Sequence, residues 1–360
     1  MSLRLSLSFI ALVGLIGPGC PSEPLDRPDD SGLLGDSDTC IPSDEHPSNG
    51  VDDDCDGEVD EAPVVLTEPV VVAEYSHTAR MLSCEAGHLF LPDNNNDQLM
   101  VVDTATNQVI SQLPTGSFPY YIVSAEGYTV ASNVYGTTVT VVDSASATVQ
   151  SELRVGEYPW GVAILDGALY VNSFTASDPY VQRVDLATGS LLERFDGESG
   201  PDRMAGVAGH IYLINGRAMG NAADDAVSIH TAEGTLVDRL ELGGGLYDIV
   251  AHSNGKVYVT AEAEDQVIEI DPATQAETAR FPTGPAPNGI GSQGTFLFTI
   301  NRDGPSITVI QPEAGWSLDL DISGFSTVIS SPRGIAACDG GNLYIEADDK
   351  VVGFVGAFAF

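Results

Sequence analysis

Basic residues are scarce in this sequence. It has 14 lysine and arginine residues against 52 aspartate and glutamate residues, which gives a formal net charge of −38. Binding to nucleic acid depends on clustered lysine and arginine side chains that displace the counterions of the phosphates, and the sequence has no such cluster. We therefore expect no nucleic-acid partner.

The sequence also lacks an apolar run long enough for a membrane-spanning helix, which needs about 20 residues. Its N-terminal apolar stretch, residues 5–17, follows Arg4 and has the length of the hydrophobic region of a secretion signal. With Cys20 at its end, the segment resembles a bacterial lipoprotein signal. We predict a signal peptide over residues 1–19 and lipidation of Cys20, with no other contact to the membrane. An ordinary secretion signal with an unrelated cysteine is the alternative.

Export with a lipid anchor predicts a lipoprotein of the outer membrane or the cell surface. Pro21 and Ser22 follow the cysteine without an acidic residue, so nothing indicates retention at an inner membrane. The periplasmic face is the alternative location. Catalytic signatures are missing: there is no nucleophile elbow, phosphate-binding loop or zinc-type histidine spacing, and the six histidines are scattered. We therefore assign no catalytic residue and expect a protein that is not an enzyme.

What the sequence does contain is a repeat of about 40 residues. Each copy has a strand that begins at a glycine, such as GALYV at 167–171, followed by a strand that ends at an aspartate in four of the seven copies. The ends of this later strand are Asp103, Asp143, Asp185, His230, Asp271, Gln311 and Phe354, at steps of 40, 42, 45, 41, 40 and 43 residues. Units of this length that supply four short strands are typical of β-propellers, and seven copies predict seven blades.

The two ends of the repeat region indicate how the ring closes. The seventh copy has no fourth strand, whereas residues 64–75 form a β-branched run without a blade of their own. We therefore predict an all-β, seven-bladed propeller over residues 63–360, closed by that N-terminal run as the outer strand of the seventh blade. Closure in this way removes an open sheet edge. We expect the propeller to be a monomer.

Five cysteines in an exported protein favour disulfides. If Cys20 carries lipid, four remain: Cys40 and Cys55 near the N-terminus, and Cys84 and Cys338 at the two ends of the repeat region. Cys84 and Cys338 each lie five residues before the matching apolar position of the next strand. They therefore occupy matching places in the first and seventh blades, which predicts a disulfide between them. Two separate buried thiols are the alternative.

The repeat resembles that of the extracytoplasmic propellers with YVTN-type (YncE-like) repeats. The resemblance is carried by LYVNS with VQRVDLATGSLLERF, by VYVTA with VIEIDPATQAETARF, and by LMVVDTATNQVISQLPTGSFP. It covers about residues 64–360. It implies a seven-bladed ring at a secreted or surface location, and it implies no single activity because propellers host many functions.

The segment before the repeats is acidic and poor in apolar residues. Residues 21–61 contain 15 acidic residues and one arginine. A composition of this kind cannot bury enough apolar surface to fold alone. We predict a disordered acidic tether over residues 20–39, followed by an acidic, cysteine-containing motif over residues 40–62.

The acidic motif has the alternation of a calcium loop. Asp52, Asp54 and Asp56 alternate before a glycine, and Asp60 and Glu61 follow. Ca²⁺ takes six to eight oxygen ligands, which loops of this pattern supply from alternate residues. We predict that these five residues bind Ca²⁺. The alternative is an acidic, solvated linker that holds ions only weakly.

The stretch NGVDDDCDGEVDE at 49–61 resembles the metal-binding motif of MopE-type bacterial surface proteins, whose core is DNDCDGxxDE. The resemblance implies a disulfide between Cys40 and Cys55. Although the family name suggests copper, a set of carboxylate ligands favours Ca²⁺ over copper.

The mouth of the propeller is the predicted ligand site, because concave mouths are where ligands bind by default. The loops that enter the innermost strands converge there and place six aromatic, charged or amide side chains on its rim: Tyr120, Trp160, Arg203, Asp248, Asn288 and Arg333. We predict that this rim binds a protein, glycan or small-molecule ligand at the cell envelope. In the alternative interpretation, the tyrosine and tryptophan wedge between blades and the charges pair with each other.

A second functional interpretation is an enzyme in the funnel, either lactonase-like or quinone-dependent dehydrogenase-like. Such an enzyme needs clustered carboxylates or histidines around a metal. The sequence offers only Asp248 and Asp202 at the mouth, which favours the binding module.

Overall fold

The computed structural model describes residues 66–74, 81–173, 178–198, 200–216, 225–347 and 350–357. The chain divides into two units, Met1–Ala62 and Pro63–Phe360, and all described residues belong to the second. The predicted signal peptide, lipidated Cys20, tether, Cys40–Cys55 disulfide and Ca²⁺ ligands lie outside the described residues. No helix within the described ranges is long and apolar enough to cross a membrane.

The described residues form seven antiparallel sheets of four strands each. From the centre outwards, blade 1 contains β2 (Ser83–Glu85), β3 (His88–Asp93), β4 (Gln98–Asp103) and β5 (Gln108–Pro114), and blade 2 contains β6 (Pro119–Ala125), β7 (Tyr128–Asn133), β8 (Thr138–Asp143) and β9 (Thr148–Arg154). Blade 3 contains β10 (Pro159–Leu165), β11 (Ala168–Ser173), β12 (Tyr180–Asp185) and β13 (Leu191–Asp196), and blade 4 contains β14 (Met204–Val207), β15 (His210–Asn215), β16 (Ala226–Thr231) and β17 (Leu236–Glu241). Blade 5 contains β18 (Leu246–Ala251), β19 (Val257–Ala261), β20 (Gln266–Asp271) and β21 (Ala276–Pro282), and blade 6 contains β22 (Pro287–Gln293), β23 (Phe296–Asn301), β24 (Ser306–Gln311) and β25 (Trp316–Asp321). Blade 7 contains β26 (Pro332–Cys338), β27 (Asn342–Ala347), β28 (Lys350–Phe354) and β1 (Val70–Glu74), and two 3₁₀ turns span Asn94–Asn96 and Ser323–Phe325.

The innermost strands close a ring. Each contacts the innermost strand of the next blade, and β26 of blade 7 contacts β2 of blade 1. Strand β1 completes blade 7 by pairing antiparallel with β28, with Val70 opposite Gly353. The predicted seven-bladed propeller and its closure by an N-terminal outer strand are both confirmed.

The core lies between the blades. The second strand of each blade is covered on both faces by neighbouring blades, so consecutive residues are buried and most of them are apolar. Tyr170, Tyr212, Tyr258 and Tyr344 take the same place in four blades and are fully buried. The Tyr344 hydroxyl donates 2.7 Å to Oδ1 of Asn107 and so ties blade 7 to blade 1.

Two local turn motifs explain the spacing of the repeat. The turn between the first and second strands places a residue and a glycine at positive φ, as at Asp166 (52°) and Gly167 (73°), which is the requirement of a type I′ hairpin turn. After the third strand, the Asp185 carboxylate accepts hydrogen bonds from the backbone N–H and the hydroxyl of Thr188, both at 2.7 Å. Asp103 and Asp143 form the same turn.

A disulfide joins Cys84 of β2 to Cys338 of β26, with 5.6 Å between the Cα atoms. This prediction is confirmed, but the two cysteines are not at matching positions. Cys84 lies opposite Leu89, and the residue opposite the equivalent Leu343 is Ala337. The hairpin turn of blade 7 has three residues where that of blade 1 has two, which moves Cys338 one residue along its strand.

Candidate functional site

The mouth is built from two successive positions at the start of each innermost strand. Strand register defines both positions, since each innermost strand pairs with the second strand of its own blade. The first mouth position holds Tyr120, Trp160, Asp202, Tyr247, Asn288 and Arg333 in blades 2 to 7. The second mouth position holds Tyr121, Gly161, Arg203, Asp248, Gly289 and Gly334.

The chain enters these strands through a left-handed backbone. The residue immediately before the innermost strand has positive φ, for example Phe118 (59°) and Ala286 (54°), a conformation that costs a non-glycine residue free energy. An aspartate of the preceding blade holds it in place. Asp97 Oδ1 accepts from the Phe118 N–H at 2.7 Å, and Asp265 Oδ1 accepts from the Ala286 N–H at 2.8 Å. These hydrogen bonds between neighbouring blades fix the position at which each innermost strand enters the mouth.

Three blades meet at the carboxylate of Asp202, which is 5% exposed. Its Oδ1 accepts hydrogen bonds from the hydroxyl of Tyr121 and from Nε1 of Trp160, both at 2.9 Å. Gly161 makes this approach possible, because a Cβ there would lie 2.0 Å from the carbonyl oxygen of Asp202. Burial, and then the charge of Asp202, raises the pKa of Tyr121 well above its ordinary value of 10, so this phenol stays protonated.

Arg203 links blade 4 to blades 5 and 2. Its Nη1 lies 2.9 Å from Oδ1 of Asp248, and its guanidinium lies 4.4 Å from the ring centre of Tyr247 and 5.5 Å from that of Tyr121. Burial alone would lower the pKa of Arg203, but Asp248 and the two tyrosines outweigh it and raise that pKa well above its ordinary value. Arg203 is therefore a fixed cation inside the mouth.

The aromatic side chains of the mouth stack on one another. The Tyr120 and Trp160 rings are 5.6 Å apart and nearly parallel, and Tyr120 continues the stack to Phe118 at 6.2 Å. Tyr120 and Trp160 are half-buried. The aromatic wedge and the charge pairing of the alternative interpretation are thus both present, and the stack still reaches the surface.

The remaining predicted rim residues differ from each other. Asn288 is 2% exposed and donates from Nδ2 to Oε1 of Glu262 at 2.8 Å, so it lies beneath the surface of the rim. Arg333 is half-buried, and in the part of the chain that the structure describes no acceptor or carboxylate pairs with it. Arg333 is therefore the rim cation that a ligand can reach.

Below the mouth lies a central cavity of about 260 Å³. One apolar side chain from each blade forms a collar around it: Leu82, Ile122, Val162, Met204, Ile249, Ile290 and Ile335. Asp248 lines the same cavity and connects it to the network above. Among the described residues, no group of three or more histidine, cysteine, aspartate or glutamate side chains has a geometry that could hold a metal ion.

The rim predicted from sequence mixes the two mouth positions. Tyr120, Trp160, Asn288 and Arg333 lie at the first position, whereas Arg203 and Asp248 lie at the second. Tyr121 and Tyr247 were not predicted, and Asp202 was noted only as a candidate for the enzymatic interpretation. A signal for Tyr121 exists in the repeat: the second position is glycine in blades 3, 6 and 7, so the larger side chains there in blades 2, 4 and 5 mark residues that fill the mouth. No such signal distinguishes Asp202 and Tyr247, which lie at the first position.

Comparison with models of protein families and with curated protein sequences gives no match. Solved structures of seven-bladed propellers are similar to this chain. Hydrazine synthase of Kuenenia stuttgartiensis superposes with a TM-score of 0.64 at 16% identity, over 80% of this chain and 98% of that one. A streptogramin B lyase gives 0.61 at 12% identity over 78% and 93%, and virginiamycin B lyase from Staphylococcus aureus gives 0.64 at 12% identity over 80% and 98%. At these identities the likeness is one of fold.

Proposed function

We propose that this protein is an exported, lipid-anchored propeller of the YVTN-repeat type that binds a ligand at its mouth. The observation that carries the proposal is the division of the mouth into a buried network and an accessible rim. Asp202, Arg203 and Asp248 are fixed by contacts between blades, while Tyr120, Trp160 and Arg333 remain half-exposed.

Such a division suits recognition. Side chains that are already ordered lose little conformational entropy when a ligand binds, so more of the contact energy appears as affinity. Stacked aromatic rings provide a large contact area, and a cation fixes the orientation of a polar group. In the mouth, the buried network of Asp202, Arg203 and Asp248 is rigid, and the side chains of Tyr120, Trp160 and Arg333 are accessible to a ligand.

The fluorescence of Trp160 can test this function directly. The chain has two tryptophans, and the other, Trp316, is 5% exposed in β25 of blade 6. In the full mature chain carrying W316F, titration with glycans, peptides, carboxylates and amines should give a saturable change in Trp160 emission for at least one class. The matched variant W160F, which keeps Trp316, should give none. If no compound changes the emission of Trp160, ligand binding at the mouth is wrong.

Export is supported by the disulfide between Cys84 and Cys338, since such bonds persist in oxidising compartments. The leader sequence and Cys20 add the lipid anchor at the outer membrane or cell surface, with the periplasmic face as the alternative. Labelling of growing cells with radioactive palmitate should mark the wild type, and C20A should remain unlabelled while still being exported. Labelling of C20A would contradict the anchor.

We further propose that the acidic motif binds Ca²⁺ through Asp52, Asp54, Asp56, Asp60 and Glu61, because these carboxylates follow the alternation of a calcium loop and hard oxygen ligands favour Ca²⁺. Calorimetric titration of the full mature chain with CaCl₂ should show a site that D54N/D56N weakens strongly, because each change removes a charged oxygen ligand. The variant D103N, which alters an exposed turn of blade 1, should bind as the wild type does. Absence of heat at millimolar Ca²⁺ would favour an ordinary acidic linker.

The enzymatic alternative, lactonase-like or quinone-dependent dehydrogenase-like, has its support in the similar folds of two lyases and a hydrazine synthase. The carboxylates of the mouth, Asp202 and Asp248, already accept hydrogen bonds from neighbouring groups, which leaves less capacity for proton transfer. Metal analysis of the protein carrying D52N/D54N/D56N distinguishes the two functions: one stoichiometric metal would favour the enzyme.

A further inference from the structure

The boundary between blades 6 and 7 repeats the geometry of the boundary between blades 5 and 6 with different residues. In the earlier boundary, Glu262 follows the second strand of blade 5 and contacts Asn288 at the first mouth position of blade 6, 2.8 Å away. Strand register places Arg302 in blade 6 where Glu262 stands in blade 5. Arg333 likewise stands in blade 7 where Asn288 stands in blade 6. The repeat therefore supplies two arginines, Arg302 and Arg333, to this boundary.

The two arginines differ in their partners. Arg302 donates from Nη1 to Oε1 of Glu262 at 3.0 Å and from Nε to Oδ1 of Asp303 at 2.9 Å. The two carboxylates that contact Arg302 are thus already engaged. Arg333 is half-buried and, within the described ranges, forms no ion pair and donates no hydrogen bond.

A half-buried arginine without a partner is expected to bind a hydrogen-bond acceptor. The sequence has 52 acidic and 14 basic residues, so carboxylate partners are abundant, and the other arginine of the mouth, Arg203, has one in Asp248. A partly desolvated guanidinium without a partner carries an energetic penalty. Its planar fork of five N–H donors matches the oxygens of a carboxylate, phosphate or sulfate.

The opposite wall of the mouth argues against a cationic ligand group. Arg203 already lies over the rings of Tyr121 and Tyr247, so the protein supplies its own cation to these aromatic faces. A second cation there would be repelled by the first.

We infer that Arg333 binds an oxyanion group of the ligand at the mouth. This inference rests on the proposed ligand-binding function and names the chemistry of one part of the ligand. The half-exposed Tyr120 and Trp160 are available to contact the rest of the same molecule. Because the net charge of −38 repels free anions at long range, binding depends on the short-range fork of Arg333.

The test uses the full mature chain carrying W316F. D-glucuronate and inorganic phosphate are the oxyanion probes, and D-glucose is the uncharged control for D-glucuronate. Calorimetry should show binding of at least one oxyanion, and glucose should bind more weakly. R333Q should weaken that binding by about tenfold or more. R333K should fall between, because it keeps the charge and loses the fork. R194Q is the control: Arg194 is an exposed arginine on the outer strand β13, where it pairs with Asp178. This variant should bind the oxyanion as the parent protein does.

The outcomes separate the inference from the function it rests on. Unchanged oxyanion binding by R333Q overturns the role of Arg333. If neither oxyanion binds at about 10 mM, a weak limit for a specific site, while another compound saturates the Trp160 signal, the oxyanion class is wrong and the ligand-binding function stands. If no compound of any class changes Trp160 emission, the proposed function fails as well. Binding of glucuronate without phosphate would point to a carboxylate-bearing ligand, and the reverse to a phosphate-bearing one.

Discussion

The guanidinium of Arg203 lies 2.9 Å from the carboxylate of Asp248 across the boundary between blades 4 and 5. Both side chains are buried, with 4% and 10% of their surfaces exposed. A buried ion pair is retained only where further contacts offset its desolvation. Here the rings of Tyr121 and Tyr247 flank the cation, and the N–H of Ile249 donates to the carboxylate at 2.9 Å.

We expect D248N to destabilise the protein by about 3–5 kcal/mol, because it leaves the buried charge of Arg203 uncompensated. The free energy of unfolding in urea measures this. D178N, which removes an exposed partner of Arg194, should cost at most about 1 kcal/mol. A double variant, R203M/D248L, should recover much of the loss. Equal stabilities of D248N and D178N would contradict the role given to the pair.

Reduction of the disulfide between Cys84 and Cys338 should destabilise the ring. The bond spans 254 residues, and disulfides that close long loops contribute about 2–5 kcal/mol. Urea midpoints with and without reductant should differ in the C40A/C55A background and should coincide in C84A/C338A. Alkylation of both Cys84 and Cys338 without prior reduction would show that the bond does not form.

Stability should fall as the pH drops below 6.5. Burial lowers the pKa of His252 and of His230 below the ordinary value of 6.5. Each histidine is therefore neutral in the folded state at a pH where the unfolded chain already binds the proton. The unfolded state binds more protons in this window, so the free energy of unfolding decreases with falling pH and levels off below the lowered pKa values.

Urea unfolding between pH 7.5 and pH 5 measures this slope, and H230Q/H252Q should flatten it. The exposed turn carboxylates change the free energy of unfolding in a separate pH range, below that of the histidines. Hydrogen bonds from Thr188 lower the pKa of Asp185 below its ordinary value of 3.8, so its contribution is present above that value and is lost only as the pH falls through the lowered pKa. An unchanged slope in the double variant would contradict the assignment to histidine.

A glycine should stabilise the entry to blade 7. Ser331 has a φ of 48° immediately before Pro332, where the equivalent positions of blades 4 and 5 have Gly200 and Gly245 at positive φ. Ser331→Gly should relieve a left-handed cost of about 1–2 kcal/mol and lose part of it to unfolded-chain entropy, for a net gain of about 0.5–1 kcal/mol. Ser326→Gly, at a φ of −57°, should instead destabilise. Thermal unfolding of both variants decides the sign.

The fold could be predicted from the sequence because it is periodic. Each blade repeats the same strand lengths and turn chemistry, so an error in one copy is corrected by the other six. The strand register within a copy is harder to predict. One added turn residue in blade 7 puts Ala337, and not Cys338, at the position that matches Cys84 of blade 1. An insertion of one residue cannot be recognised from the repeat length, because successive copies are already 40 to 45 residues apart.

The site was harder to predict because it is where the repeat breaks down. Arg203 and Asp248 were placed on the rim with Trp160, but they lie one residue further along their strands and are buried. Which charge pairs with which depends on contacts between blades. Tyr121 of blade 2 reaches Asp202 of blade 4 past a glycine, and no spacing along one copy encodes that contact.

The pairing of β1 with β28 has a consequence for how the chain reaches its final form. During N-to-C synthesis, β1 emerges before the other strands of the ring and its partner β28 emerges after them, so six blades can assemble in order as an open spiral. Until then both edges of β1 and the exposed flank of blade 1 are free to pair with other chains. The slowest and most aggregation-prone step of folding should therefore be the pairing of β1 with β28, which closes the ring.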